Sequence, residues 1–140
     1  MIAYNLGLGQ SANLAYNLAS QSAMDGLSFS PIQIIDLALW LDGADQSATS
    51  MEIVSNKCAN WLDKSGNGYV FPQSDAAKRP ATNTHLLNGL PVLTFDGTND
   101  WLRSTDAGLL AIPSDNYSVY AVTRQNSVAQ QRIYTLATAG

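Results

Sequence analysis

Four residues in turn-forming segments carry the kind of oxygen atoms that calcium requires. Carboxylate and amide oxygens are the preferred ligands of Ca²⁺, and this chain offers them at Asp63, Asp96, Asn99 and Asp100. Asp and Asn side chains also close turns by accepting hydrogen bonds from nearby backbone, which requires no metal. Two hypotheses therefore stay open for these residues: a calcium site, or turns that are closed by their own side chains.

A glycine-rich turn indicates a second kind of site, one that contacts a sugar or another small ligand. Asn67 lies within the run Ser65-Gly66-Asn67-Gly68, and Tyr69 and Phe71 follow it directly. Aromatic side chains with a polar neighbour are suited to such contacts, so these three residues are predicted ligand contacts. The tryptophans lie among leucines in strand-like runs and are predicted to pack in the core instead: Trp40, Trp61 and Trp101.

Catalytic chemistry has few residues to draw on in this sequence. It contains one histidine, His85, and one cysteine, Cys58, and it has no nucleophile-elbow, phosphate-loop or zinc-binding motif. His85 lies in a polar segment and is predicted to be a solvated loop residue. A glycosidase pair drawn from Asp63, Asp96 and Asp100 is the enzymatic alternative. We expect a protein that is not an enzyme and has no catalytic residues.

The composition is typical of one globular domain with a weakly charged surface. The 140 residues are 46% hydrophobic, which is enough for a real core. Only 13% of them are charged, about half the share in an average soluble domain, and such a surface suits packing against other proteins. The net charge of −4 and the scattered Lys and Arg residues argue against nucleic-acid binding.

The sequence contains neither a membrane-spanning run nor the pattern of a secretion signal. No window approaches the run of about 18 apolar residues that a membrane span needs. The first 24 residues contain no Lys or Arg for the basic region of a signal peptide. The lone Cys58 cannot form an internal disulfide and is predicted to lie in the core. We expect no membrane contact, and release from the cell by lysis or within a particle.

Residues 1–30 are predicted to form an N-terminal arm or linker that precedes the domain. Ala3-Tyr4-Asn5-Leu6 recurs as Ala15-Tyr16-Asn17-Leu18. The arm is either a disordered tail or a docking element, helical over residues 11–24 or extended, which becomes ordered by burying apolar side chains against a partner. The side chains predicted to anchor it are Tyr4, Leu6, Tyr16 and Leu18.

From residue 31 onwards, short strand-like runs alternate with turn residues, which predicts an all-β fold. The clearest feature is a predicted β-hairpin over residues 90–102, whose turn carries Asp96-Gly97. Residues 73–85 are predicted to be a loop because Lys78-Arg79-Pro80 interrupts any regular element. The predicted strands are 38–42, 59–62, 91–95, 100–104, 117–123 and 131–136.

Several of these segments occur in an order and spacing that resembles a known family. They are Leu39-Trp40-Leu41-Asp42, Trp61-x-Asp63-Lys64-Ser65-Gly66-Asn67-Gly68, Arg79-Pro80 and Asn88-Gly89-x-Pro91-Val92-x-x-Phe95-Asp96-Gly97-x-Asn99-Asp100-x-Leu102. Together they are similar to the concanavalin A-like, laminin-G-type jelly-roll domains common in bacteriophage virion proteins and bacterial surface proteins. The resemblance implies a jelly-roll β-sandwich over residues 31–140, incomplete at its C-terminus, with calcium bound at the rim in some members.

Two functions from different classes follow from the residues and this resemblance. The first is a non-enzymatic structural protein of a phage virion (tail, fibre or capsid decoration), which is assembled in the host cytoplasm, attached to other virion proteins by its arm, and homo-oligomeric. The alternative is a carbohydrate-binding or host-receptor-recognising module that uses its aromatic and Asx-rich loops, with Ca²⁺ as its one candidate cofactor. Family membership alone does not decide between them.

Overall fold

The computed structural model describes residues 2–5, 29–110, 117–125 and 133, and strands predominate in them. The strands are β1 (Ile2–Asn5), β2 (Leu37–Leu41), β3 (Met51–Val54), β4 (Lys57–Leu62), β5 (Val70–Pro72), β6 (Leu86–Leu87), β7 (Leu90–Pro91) and β8 (Ser118–Ala121). Helical structure in these ranges is limited to 3₁₀ turns at Pro31–Gln33 and Ala76–Lys78 and to the short α1 (Ala107–Leu110). None of the described helices is long and apolar enough to cross a membrane. The predicted all-β character is confirmed.

The strands form three antiparallel sheets. The first has the order β2-β1-β8, the second has the order β3-β4-β5, and the third is the hairpin of β6 and β7. In the first sheet, Ile2 lies opposite Leu41 on one side and Ala121 on the other. The middle strand of this sheet is therefore the first described segment of the chain, and its neighbours come from much later in the sequence.

The main hydrophobic core joins the first two sheets and α1. Its buried members are Ala38, Leu39, Leu41, Met51, Cys58, Trp61 and Leu109. Cys58 is fully buried and unpaired, as predicted, and burial raises the pKa of its thiol to about 12. A smaller cluster contains Ile34 and Leu37, with Phe29 and Trp40 packed against it. Strand β2 contributes to both clusters, which explains why its sequence is apolar throughout rather than alternating.

The start of the predicted arm belongs to the first sheet. Ile2–Asn5 pairs with both β2 and β8, so Tyr4 sits in the central strand, and for these four residues the prediction of a separate arm is corrected. Leu6, Tyr16 and Leu18 lie outside the described residues, as does the helix predicted over residues 11–24. An arm prediction from local composition could not detect this pairing, because both partner strands are distant in sequence.

The prediction of a β-hairpin over residues 90–102 is wrong. Leu90–Pro91 pairs instead with the preceding segment, Leu86–Leu87. The turn between them consists of Asn88 and Gly89, which adopt positive φ angles of 53° and 80°. This is the tight turn that the Asn-Gly dipeptide favours. Residues 100–104, predicted as the returning strand, form no strand, and Thr94 instead bridges to Ala81.

Three of the remaining strand predictions are confirmed, whereas strands β3, β5 and β6 were not predicted. The predicted strands at 38–42, 59–62 and 117–123 correspond to β2, β4 and β8, whereas 131–136 lies outside the described residues apart from Ile133. Strand β3 was not predicted, because the turn that follows it is built by Ser55 and Asn56 at positive φ rather than by a glycine. Residues 73–85, predicted as a loop, contain the 3₁₀ turn Ala76–Lys78.

Candidate functional site

The most highly connected polar segment is the loop of residues 63–67 that follows β4, here called the Asp63 loop. Asp63 Oδ1 accepts hydrogen bonds from the backbone N–H of Trp40 at 2.9 Å and from that of Ser65 at 2.8 Å. Its Oδ2 accepts the hydroxyl hydrogen of Ser65 at 2.7 Å. The backbone N–H of Lys64 donates to the carbonyl of Trp40 at 2.8 Å. One carboxylate therefore shapes its own loop and holds it against β2.

Asn67 extends the same contact along β2. Its Nδ2 donates to the carbonyl oxygens of Ala38 at 3.0 Å and Leu37 at 3.2 Å, and to Ser65 Oγ at 3.1 Å. Strand β2 lies at the edge of its sheet, where backbone groups on the outer side have no strand to pair with. The Asp63 loop satisfies those groups with side chains and backbone, so it replaces a neighbouring strand.

A charged cluster lies next to this loop and consists of Lys64, Asp42 and Asp45. Lys64 Nζ is 2.7 Å from Asp45 Oδ2 and 3.2 Å from Asp42 Oδ2. It also lies 4.5 Å from the centre of the Trp40 ring, within the range of a cation–π contact. Asp45 Oδ2 additionally accepts the hydroxyl of the fully buried Ser50 at 2.7 Å. This cluster was not predicted from the sequence. The only signal for it there is the spacing of Asp42 and Asp45, which are three residues apart.

The contacts within the cluster shift the pKa values of Lys64 and Asp45 in opposite directions. Hydrogen bonds from Lys64, Ser47 and Ser50 hold the pKa of Asp45 well below its ordinary value. Burial alone lowers the pKa of Lys64, but hydrogen bonds to Asp45 and Asp42 outweigh it and raise that pKa overall. Both shifts favour the charged forms, so Lys64 and Asp45 are ionised at neutral pH.

The predicted calcium ligands fall into two separate turns, both closed by internal hydrogen bonds. Asp96 Oδ1 accepts the backbone N–H groups of Thr98, Asn99 and Asp100 at 2.8, 3.0 and 3.2 Å, and Asp100 Oδ2 accepts that of Asp96 at 3.0 Å. These bonds lower the pKa of Asp96. Asp63 closes the other turn, the Asp63 loop, by accepting the hydrogen bonds from Ser65. In the described ranges, no three Asp, Glu, His or Cys side chains form a group that could hold a metal ion, so the calcium site stays a prediction.

The burial of the aromatic residues differs in part from the prediction. Tyr69 and Phe71, the predicted ligand contacts, are half-buried and pack against the main core. Trp61 is buried as predicted, and Trp40 is half-buried. The prediction that Trp101 packs in the core is wrong, because 45% of its surface is exposed. Its sequence neighbours form no strand that could turn the indole inward.

The backbone of Trp101 is nevertheless held firmly on both sides. Its N–H donates to the carbonyl of Lys78 at 3.1 Å, and its carbonyl accepts from Gln73 Nε2 at 3.1 Å. Gln73 is itself buried, and its carbonyl accepts Arg79 Nε at 2.7 Å. The exposed indole is therefore presented from an anchored segment, a feature that side-chain type alone did not reveal.

The single histidine lies apart from these features. His85 is exposed, as predicted, and its Nδ1 lies 3.2 Å from the hydroxyls of both Thr84 and Thr94. Neither partner is a carboxylate that would orient and charge the ring in the manner of a catalytic histidine. This arrangement is that of a surface residue bridging two adjacent segments.

Comparison with models of protein families, with curated proteins and with solved structures finds no match to this chain.

The first prediction concerns Asp63. Asp63→Ala removes the acceptor for the backbone N–H groups of Trp40 and Ser65, and should lower the free energy of unfolding by about 2–3 kcal/mol, since half-buried donors lose their partner. Urea denaturation measures the change. Asp106→Ala is the matched control, because Asp106 is exposed and accepts one local N–H, from Gly108. Equal losses in the two variants would contradict a structural role for the Asp63 loop.

The second prediction concerns the acid stability of the Lys64 cluster. The folded pKa of Asp45 is depressed, so its stabilisation is present above the ordinary value of 3.8 and is lost as the pH falls below it. Solvent screens this partly exposed pair, so Asp45→Asn should cost about 1 kcal/mol at neutral pH. The difference between wild type and Asp45→Asn should shrink towards low pH. With Asp106→Asn as control, a difference that does not depend on pH would refute the charged cluster.

Proposed function

We propose that this chain is a non-enzymatic structural protein of a bacteriophage particle, assembled in the host cytoplasm as a homo-oligomer. Its β-domain would be the N-terminal part of a concanavalin A-like jelly roll. The motif resemblance supports this proposal, since Trp40, Asp63 and Asn67 belong to the segments that carry it. Asp63 accepts a hydrogen bond from the backbone of Trp40, and Asn67 donates one to Ala38 of the same strand. Two antiparallel sheets that share one core are compatible with a sandwich.

The observation that carries an assembly role is the outer edge of β8. Among the described residues this strand pairs only with β1, and residues 117–123 contain no charged residue and no proline. Soluble proteins usually protect such edges with Lys, Pro or a bulge. Tyr120 and Val122 are also exposed there. An unprotected apolar edge is suited to pairing with another protein chain, as strand addition does.

The third prediction tests this edge. Val122→Lys places a charge beside β8 without touching the core, because 63% of Val122 is exposed. Incorporation into particles assembled in the producing host should fall at least about tenfold, the effect expected from losing a central interface contact. Point variants are required, because deleting residues 1–30 would remove β1 from the middle of its sheet.

The matched control is Ala77→Lys, which adds the same charge at an exposed position of the 3₁₀ turn Ala76–Lys78. Both variants should keep the wild-type free energy of unfolding, measured by urea denaturation. Normal incorporation of Val122→Lys would refute assembly through β8. Oligomeric state, measured by light scattering on the free proteins, then reports whether the same edge joins copies of this chain.

A second function, recognition of host-surface glycans, is favoured by the exposed indole of Trp101. A sugar ring can stack on such a face, and the backbone hydrogen bonds of Trp101 to Lys78 and Gln73 reduce the entropy lost on binding. Phe95 is likewise exposed. This assignment replaces the more buried Tyr69 and Phe71 as the first residues to test.

The fourth prediction is that Trp101→Ala abolishes any glycan-array signal of the wild-type protein. Tyr117→Ala, at another exposed aromatic residue, should leave the signal unchanged. Loss of the signal with Tyr69→Ala but not with Trp101→Ala would return the site to the glycine-rich turn. Repeating the array with a chelator tests the calcium prediction for Asp63, Asp96, Asn99 and Asp100. An array without any signal would contradict glycan recognition, and the structural role would then be the one remaining proposal.

A further inference from the structure

The chain contains two Asn-Gly dipeptides, at residues 67–68 and 88–89, in very different surroundings. Asn-Gly is the dipeptide in which an asparagine most readily loses its side-chain amide. The backbone nitrogen of the glycine can reach the side-chain carbonyl carbon, since glycine has no Cβ to block the approach. The local structure therefore decides which of the two asparagines reacts in the folded protein.

Asn67 is restrained by its own side chain. Its Nδ2, the group that would have to leave, donates to the carbonyls of Leu37 and Ala38 and to Ser65 Oγ at 3.0–3.2 Å. These contacts hold the side-chain amide against β2 and restrict its rotation. Reaction at Asn67 therefore requires the Asp63 loop to open first, at a free-energy cost.

Asn88 has no comparable restraint. It lies at the tip of the β6–β7 hairpin and is exposed, and its side chain makes no hydrogen bond within the part of the chain that the structure describes. A Cβ built on Gly89 would meet no atom within 4 Å, and the same is true of Gly68, so the two dipeptides differ in the hydrogen bonds of their asparagines and not in the access of water. A hairpin of two strands with two residues each is also marginally stable by itself, which lets the turn sample reactive geometries.

We propose that Asn88 is a site of spontaneous deamidation in the folded protein and that Asn67 is protected. The backbone nitrogen of Gly89 forms a bond to Cγ of Asn88, the bond from Cγ to Nδ2 breaks, and ammonia leaves with the proton from the Gly89 amide. Water then opens the five-membered ring at either of its carbonyls. The products are aspartate, or isoaspartate with its backbone path lengthened by one carbon atom.

Either product changes the tip of the hairpin. A negative charge appears in a turn that carried none, and isoaspartate lengthens the loop between Leu87 and Leu90, which pair directly across it. Since register in a hairpin depends on loop length, isoaspartate should release this pairing. The exposed side chains of Leu86 and Leu90 would then be presented differently to a partner.

The experiment incubates the full chain in mildly alkaline buffer, both folded and in denaturant, and follows both sites by peptide mass mapping and isoaspartate detection. In the folded protein, Asn88 should react at least about tenfold faster than Asn67, because the hydrogen bonds of Asn67 Nδ2 must break before that amide can react. In denaturant, the two rates should become similar, because both dipeptides are then unstructured.

Two variants make the test specific. Asn88→Gln should remove the fast site without changing the rate at Asn67. Ser65→Ala removes the hydroxyl that accepts hydrogen bonds from both the backbone N–H and Nδ2 of Asn67. It also loosens the Asp63 loop, and it should accelerate the reaction at Asn67 alone. Equal rates at the two sites in the folded protein would overturn the proposal. So would a folded protein in which neither site reacts while both react in denaturant.

Discussion

The fold depends on the hydrogen bond between the backbone N–H of Trp40 and the carboxylate of Asp63. Strand β2 is an edge strand, yet it supplies the centre of both hydrophobic clusters. A buried edge needs partners for its outward-facing backbone groups, because unpaired groups of this kind are costly. Asp63, with the loop that it shapes, supplies those partners from the end of β4. The interaction therefore ties the second sheet to the first and allows β2 to stay buried.

Several polar side chains of the described residues are engaged in holding the backbone in this way. Asp63 and Asn67, which could be ligands by residue type, already hold backbone groups of β2, and Asp96 closes its own turn with three backbone N–H groups. Among the described residues, the edge of β8 and the indole of Trp101 are apolar or aromatic surfaces that stay exposed. The proposed contacts with other molecules depend on these two surfaces.

What the sequence could predict follows from how local each signal is. Strands β2 and β4 were placed within two residues, because apolar runs bounded by turn residues are local patterns. The core position of Cys58 followed from residue type. The exposure of Trp101 did not, because burial depends on a partner strand, and residues 100–104 form none. The link from Lys64 to Asp45 joins positions 19 residues apart, so a pattern read along the chain could not reveal it.

The position of β1 has a consequence for how the protein reaches its native state. This strand lies between β2 and β8, and β8 is synthesised after all the other described strands. The sheet β3-β4-β5 comes from consecutive segments and can form early, whereas the first sheet is complete only when β8 is available. Such non-local pairing slows folding. During synthesis β1 thus lacks one of its two partner strands until β8 is made, and an unpaired strand edge of this kind is prone to aggregation.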